Sequence, residues 1–172
     1  LADEPVSALD VSIQAQVMNL MENLRREFNL AFVFVAHDLG VVRHFCDRTA
    51  VMYLGQVIEQ GEVLDVFRQP RHEVTRALIG DVAHEAATRS LSAGKVRQAR
   101  LASAIGRMVD PVNEIYWRDG LRAEHQAGDL AGVERLITQL EQSLAAIDED
   151  YEPEPETQAL IAQLRRRHAI AS

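Results

Sequence analysis

The sequence predicts an α/β segment followed by an all-α one, and three observations carry that expectation. Up to about Val82, short β-rich runs alternate with stretches of helical periodicity. One of those runs, residues 31–36, is apolar throughout, as a strand covered on both faces of a parallel sheet would be. Beyond Val82 the strand-like runs stop and only helical spacing continues. The expected domains are an α/β domain over 1–82 and a helical domain over 83–172, joined through residues 80–94, which are rich in Ala, Ser and Thr.

Taken in order, Asp10 is placed to cap a helix whose apolar face is Val17, Leu20, Met21, Leu24 and Phe28, ending near Asn29. The strand over 31–36 follows, then a short helix over 39–45. Two short strands, 50–54 and 56–59, flank Gly55, and a helix over 63–68 is stopped by Pro70. Strand, helix, strand is the grammar of a doubly wound α/β domain, whose ligands gather at the carboxyl ends of the strands. In the second half, helices are expected over 95–109, 113–126, 130–147 and 156–167. Proline suits a first helical turn and glycine the left-handed position after a helix, so Pro111, Gly128, Pro153 and Pro155 mark the breaks, with Asp110 and Asp129 as caps. Leu130, Val133, Leu136, Ile137, Leu140, Leu144 and Ile147 form one stripe, which predicts an antiparallel helical array.

Eighteen basic against 26 acidic residues give a formal charge of −8, a field that repels polyanions. A nucleic-acid partner would need a local basic patch, and the cluster Arg165, Arg166 and Arg167 sits at the expected end of the last helix, where the helix dipole already favours cations. No nucleic-acid partner is expected. The longest apolar run is far short of the ~20 residues of a membrane-spanning helix. Cys46 is a single thiol, which excludes an intramolecular disulfide, suits a cytoplasmic compartment and reads as buried and inert. His44, His72, His84, His125 and His168 form no cluster at metal spacing. The chain opens at Leu1 inside what reads as the end of a strand, so a natural beginning upstream is expected.

The residues that carry chemistry are Leu1-Ala2-Asp3-Glu4-Pro5-Val6-Ser7-Ala8-Leu9-Asp10, followed by Ala36-His37-Asp38 at the end of the next strand. Two carboxylates at one strand's carboxyl end and an imidazole at its neighbour's would converge on one crevice suited to a metal-bound phosphate. Asp3 can hold Mg²⁺ through water, and Glu4 can face a water that loses a proton as it attacks phosphorus. His37 can stabilise the charge that develops on the transferred group. An isolated Asp-Glu pair is a weak signal; the longer string is a specific one.

That string resembles the Walker B and D-loop segment of ABC-transporter ATPases, and Val35-Ala36-His37-Asp38 resembles their switch-histidine strand. Ala2 to Gln16 is close to the usual wording of the oligopeptide and dipeptide importers. Val51-Met52-Tyr53-Leu54-Gly55 and Glu59-Gln60-Gly61 resemble that family's end strands. The stretch from Arg71 to Leu78 resembles its closing segment, with Glu73 and Val74 where proline and tyrosine are usual. The resemblance covers roughly residues 1 to 79. It implies a P-loop-NTPase-type parallel sheet lacking its N-terminal strands, with ATP and Mg²⁺ as cofactors. It further implies Asp3 as the Mg²⁺ ligand, Glu4 as general base, His37 as γ-phosphate sensor, and Ser7 and Asp10 as cofactor-side residues of the loop that meets a second ATPase subunit. Membrane permease subunits are the other implied partners, which would hold a cytoplasmic subunit at the membrane. No Gly-x-x-x-x-Gly-Lys-[Ser/Thr] loop occurs and Lys95, the sole lysine, lies in the helical half. Weak nucleotide affinity and no turnover by this chain alone are therefore expected, together with an open sheet edge.

In the second half, Trp117, Gly128 and the Leu130 to Leu140 stripe fit a tetratricopeptide-like hairpin in part. Val109-Asp110-Pro111-Val112-Asn113-Glu114, Ala127-Gly128-Asp129 and the Glu152 to Leu160 stretch resemble the bacterial transcriptional activator domain over roughly residues 101–166. The resemblance implies a protein partner, bound in grooves between helices. The alternative to a transporter subunit is thus an interaction or transcription-regulatory module that carries an ATPase remnant. Neither family ordinarily continues into the other, so a fusion of unrelated halves is a further reading.

Overall fold

The computed structural model describes residues 1–5, 11–148 and 150–171, leaving aside the side chains of 11–12 and 167–171. Ser7 and Asp10 lie outside the described residues, and so does the expected cap at Asp10. The chain divides into two compact units, Leu1–His72 and Glu73–Ser172. Among the described residues no helix is long and apolar enough to cross a membrane.

In the first unit, β1 (Ala2–Asp3), α1 (Val11–Glu27) and β2 (Phe34–Val35) form a strand-helix-strand unit. The strands are parallel, Ala2 opposite Phe34 and Asp3 opposite Val35. Then come α2 (Leu39–Phe45), β3 (Arg48–Tyr53), β4 (Gln56–Glu62) and α3 (Val63–Arg68). The expectation of one parallel sheet is corrected here: β3 and β4 form a separate antiparallel pair. Leu54 and Gly55, at φ 49° and 79°, make the two-residue turn between them. A turn that short can join only antiparallel strands, and two positive φ values give the twist that hairpins favour.

The strand expected over 31–36 shortens to two residues, because β1 offers a partner for only that length. It is also not covered on both faces: Val33 and Val35 are 65% and 48% exposed, while Phe32 and Phe34 pack against Phe45. The stripe on α1 is half-covered, with Leu20 and Phe28 exposed. Val42, Phe45, Val63 and Val66 form the buried centre of this unit. Cys46 is half-buried rather than buried, and burial raises its thiol pKa, which fits an unreactive group.

The second unit is helical: α4 (Glu73–Ser92), α5 (Val96–Val109), α6 (Glu114–Gln126), α7 (Leu130–Ala145) and α8 (Pro155–Ala171). The expected junction over 80–94 is corrected, since α4 runs unbroken through residues 80–92 and the division falls before Glu73. The inward face of α4 carries Thr75, Ile79, Ala83 and Ala87, each four residues from the last. Small side chains at that spacing read as linker composition, yet they let α5 and α6 come close. Two glycines complete the fit. Gly80 on α4 and Gly106 on α5 both face the ring of Tyr116, which is 3% exposed. A methyl at Gly106 would lie 2.6 Å from Tyr116 Cγ. Gly106→Ala is expected to cost about 1–3 kcal/mol in urea denaturation, as overpacking does, and less than additively when combined with Tyr116→Ala. An unchanged midpoint would show that the ring has room to move.

Gly94 and Gly128 take φ 69° and 72° at the ends of α4 and α6. Asn113 rather than Asp110 caps α6, accepting the Ile115 N–H, while Asp110 ends α5. Asp129 caps α7, as its position predicts. Its Oδ1 accepts the Gly132 N–H at 2.8 Å and its Oδ2 lies 3.3 Å from both Arg100 and Arg135. The backbone hydrogen bond first, then Arg135 and Arg100, hold its carboxyl below the ordinary aspartate value. As pH falls below about 4 the unfolded chain therefore takes up the proton before the folded one, and the stability present above that pH is lost through the folded pKa. Asp129→Asn keeps a cap but not the titration, so the acid limb of thermal melts should flatten below about pH 4. An unaltered slope would contradict this.

Trp117, Leu121, Leu136, Leu140, Leu144 and Leu164 form the core between α6, α7 and α8. Ile147, placed on the α7 stripe from sequence, lies beyond the helix end and is 56% exposed. Beneath the start of α8, buried Glu114 accepts the Glu154 N–H through both carboxylate oxygens at 3.0 Å. The expected capping role of the arginine cluster is corrected too: α8 runs on to Ala171, and Arg165 pairs with Glu134 of α7 at 2.9 Å.

Candidate functional site

The strongest convergence of sequence-selected residues lies at the carboxyl ends of β1 and β2. The parallel register sets it up. Glu4 follows β1 and donates its N–H to the Val35 carbonyl at 2.8 Å, which locks the two strand ends side by side. Glu4 sits at φ 42°, in the left-handed region that a non-glycine residue enters at a cost. Two residues after β2, His37 reaches back, and its Nδ1 stands 3.0 Å from Glu4 Oε1. The next residue, Asp38, starts α2 by accepting the Gly40 and Val41 N–H groups on Oδ1, at 2.8 and 3.3 Å. One carboxylate thereby fixes the chain direction just after the histidine.

Glu4 and His37 are 49% and 69% exposed. Even fully charged, a contact that open contributes less than about 1 kcal/mol to folding, so stability does not account for the strained Glu4 backbone. Between them lies a cleft of about 60 Å³, lined also by Pro5, Gln14, Phe34 and Asp38. Ligand pockets run to several hundred Å³, so the cleft has room for water and not for a nucleotide. A carboxylate and an imidazole beside such a volume can orient a water and exchange a proton with it.

Asp3 is exposed on β1 and is not among the residues lining the cleft. Among the described residues no three His, Cys, Asp or Glu side chains are grouped to hold a metal ion, so Asp3 has one ligand position to offer, not a cage.

Sequence reasoning missed several polar residues with structural work. Gln14 lines the cleft from α1, and no spacing rule pointed to it. Glu59 accepts the N–H groups of Arg71 and His72 at 2.8 and 3.1 Å and so holds the chain beyond α3. His84 pairs through Nδ1 with Asp119 Oδ2 at 2.6 Å, and Asp119 is fully buried. That partner is 35 residues away on another helix, a distance no local motif signals.

Comparison with known proteins matches about half of the chain for most relatives and about two thirds of it for one. The chain is 57% identical over 82 residues to the Oligopeptide transport ATP-binding protein AppF of Bacillus subtilis, covering 48% of this chain and 25% of that relative. The Oligopeptide transport ATP-binding protein OppF of Escherichia coli is 56% identical over 82 residues, with the same coverage. The Dipeptide transport ATP-binding protein DppF of Haemophilus influenzae is 46% identical over 113 residues, 66% of this chain and 32% of the relative. The chain thus spans about a quarter to a third of the length of these relatives. Its first half is homologous to ATP-binding subunits of oligopeptide and dipeptide ABC transporters. No family model matches the chain, so the resemblance of residues 101–166 to a transcriptional activator domain gains no support. No solved structure matches it either.

Proposed function

We propose that residues 1–82 are the water-activating part of the ATP-hydrolysing subunit of an ABC-type peptide importer. Glu4 is the general base, His37 the sensor of the terminal phosphate, and Asp3 a water-mediated Mg²⁺ ligand. Ser7 and Asp10 belong to the loop that faces a second ATPase subunit, and permease subunits complete the importer. The observation that carries this reading is the 3.0 Å approach of Glu4 to His37 at the ends of two parallel strands, in a segment homologous to peptide-transport ATP-binding subunits. The chemistry follows from the arrangement. A water beside Glu4 is deprotonated as it attacks phosphorus, and an imidazole within reach of both steadies the carboxylate and the developing charge. The 172 residues contain no glycine-rich phosphate loop, so the phosphates and most Mg²⁺ contacts come from elsewhere and this chain alone is inactive.

A chimera tests it. Residues 1–82 replace the corresponding stretch of the Bacillus subtilis relative, and Mg-ATP hydrolysis is followed. Retained turnover is the expected result. A chimera that folds and binds Mg-ATP but does not hydrolyse it would overturn the assignment. For the isolated chain, titration with Mg-ATP should give no saturable heat; micromolar binding abolished by Asp3→Asn would overturn the proposed inactivity.

A further inference from the structure

The outer face of α5 and the acidic loop after α7 form one self-complementary surface, and we infer that it pairs the helical unit with a second copy of the chain. On its inner face α5 presents Ala99, Ala102, Ser103, Gly106 and Val109, all buried. The opposite face is apolar too: Leu101 is 63% and Met108 57% exposed, with Ala104 open and Ile105 half-open between them. A helix apolar on both faces is normally covered on both, so the outer stripe lacks a partner.

Charge selects the partner. No acidic residue lies within α5, and at its start Lys95 and Arg97 are exposed, with no ion pair to either among the described residues. At the other end the stripe continues into exposed Val112. There Ser143 donates to the Pro111 carbonyl at 3.0 Å and Glu114 accepts the Glu154 N–H, which holds the loop residues 146–148 and 150–153 near that turn. Asp148, Asp150 and Glu152 of this loop are exposed, alongside Ile147 and Tyr151 at 56% and 45%. The surface is therefore cationic at one end, apolar along its length and anionic at the other.

Such a surface matches itself under a two-fold axis. Two α5 helices laid antiparallel about Ala104 and Ile105 set Leu101 against the partner subunit's Met108. Small Ala104 at the crossing allows the axes to approach to about 8–10 Å. Lys95 and Arg97 then meet the acidic loop of the other copy, twice. One helix face and a loop fall short of the ~800 Å² per partner of a standard interface, so the dimer is weak and concentration-dependent.

Sedimentation equilibrium on the full chain across a concentration series tests this. A monomer–dimer equilibrium is expected, weakened about tenfold or more by Leu101→Glu with Met108→Glu. Arg97→Glu should weaken it and combined Asp148→Lys and Asp150→Lys restore it, a rescue that a misfolded variant would not show. In a Cys46→Ser background, Ala104→Cys should form an inter-chain disulfide faster than Thr138→Cys on α7. A chain monomeric at every attainable concentration overturns the inference, as does a dimer indifferent to these changes. Binding of the stripe to anionic vesicles by a monomeric chain would overturn it equally.

Discussion

Replacing Trp117 by alanine is expected to remove about 3–5 kcal/mol from the stability of the helical unit. The indole is 6% exposed and packs into the cluster with Leu121, Leu140, Leu144 and Leu164, so truncation leaves a cavity that several helices line. It also holds two polar groups in place. Its Nε1–H donates to the Pro111 carbonyl at 2.8 Å, fixing the turn between α5 and α6. The Arg107 guanidinium stands 5.3 Å from the ring centroid, and burial already lowers the pKa of that arginine. Without the ring, a desolvated cation loses the aromatic face that compensates it. For a unit of this size the loss is a fall in melting temperature of more than about 10 °C. Trp117→Phe keeps most of the volume and loses the hydrogen bond, so it should cost about 1–2 kcal/mol. Equal losses for the two variants in urea denaturation would show that the turn, not the packing, dominates.

How much of this was legible follows from what each residue depends on. The short helices expected over 39–45 and 63–68 match α2 and α3; Pro70 is a local stop signal for the second, whereas Asp38, which no sequence expectation invokes as a cap, caps the first. Stripes with large side chains were legible as well, and Leu136, Ile137, Leu140 and Leu144 are buried as their spacing predicts. The failures have a common cause. Helix α4 buries Thr75, Gly80, Ala83 and Ala87, residues chosen for close approach to a neighbour, and small residues look like linker until the neighbour is known. The β3–β4 pairing turned on a two-residue turn at Leu54 and Gly55, where leucine at positive φ carries no turn signal. At the candidate site, Glu4 and His37 were legible as types at strand ends, but their approach depends on the register of β1 and β2. Register is a tertiary fact. The same holds for the Asp119 carboxylate beneath His84, set by the packing of α4 on α6.

In the chimera with the Bacillus subtilis relative, Glu4→Gln should lower ATP turnover by about 10²- to 10⁴-fold, the range set by loss of a general base. Glutamine has nearly the same shape and can still reach His37, so binding of Mg-ATP should be unchanged and kcat and kcat/KM should fall together. Because the Glu4–His37 pair is about half open to solvent, the same substitution should shift the melting temperature by little. That combination separates the reading from a structural one: a carboxylate kept for folding would show its loss in the melt, and one kept for proton transfer shows it in turnover. His37→Ala provides the second arm. It removes the group that steadies both the carboxylate and the phosphoryl charge, so turnover should fall with Mg-ATP binding largely kept. Turnover within a few-fold of the unsubstituted chimera in both variants would mean that the paired side chains at the ends of β1 and β2 do no chemistry. The left-handed backbone at Glu4 would then need another cause.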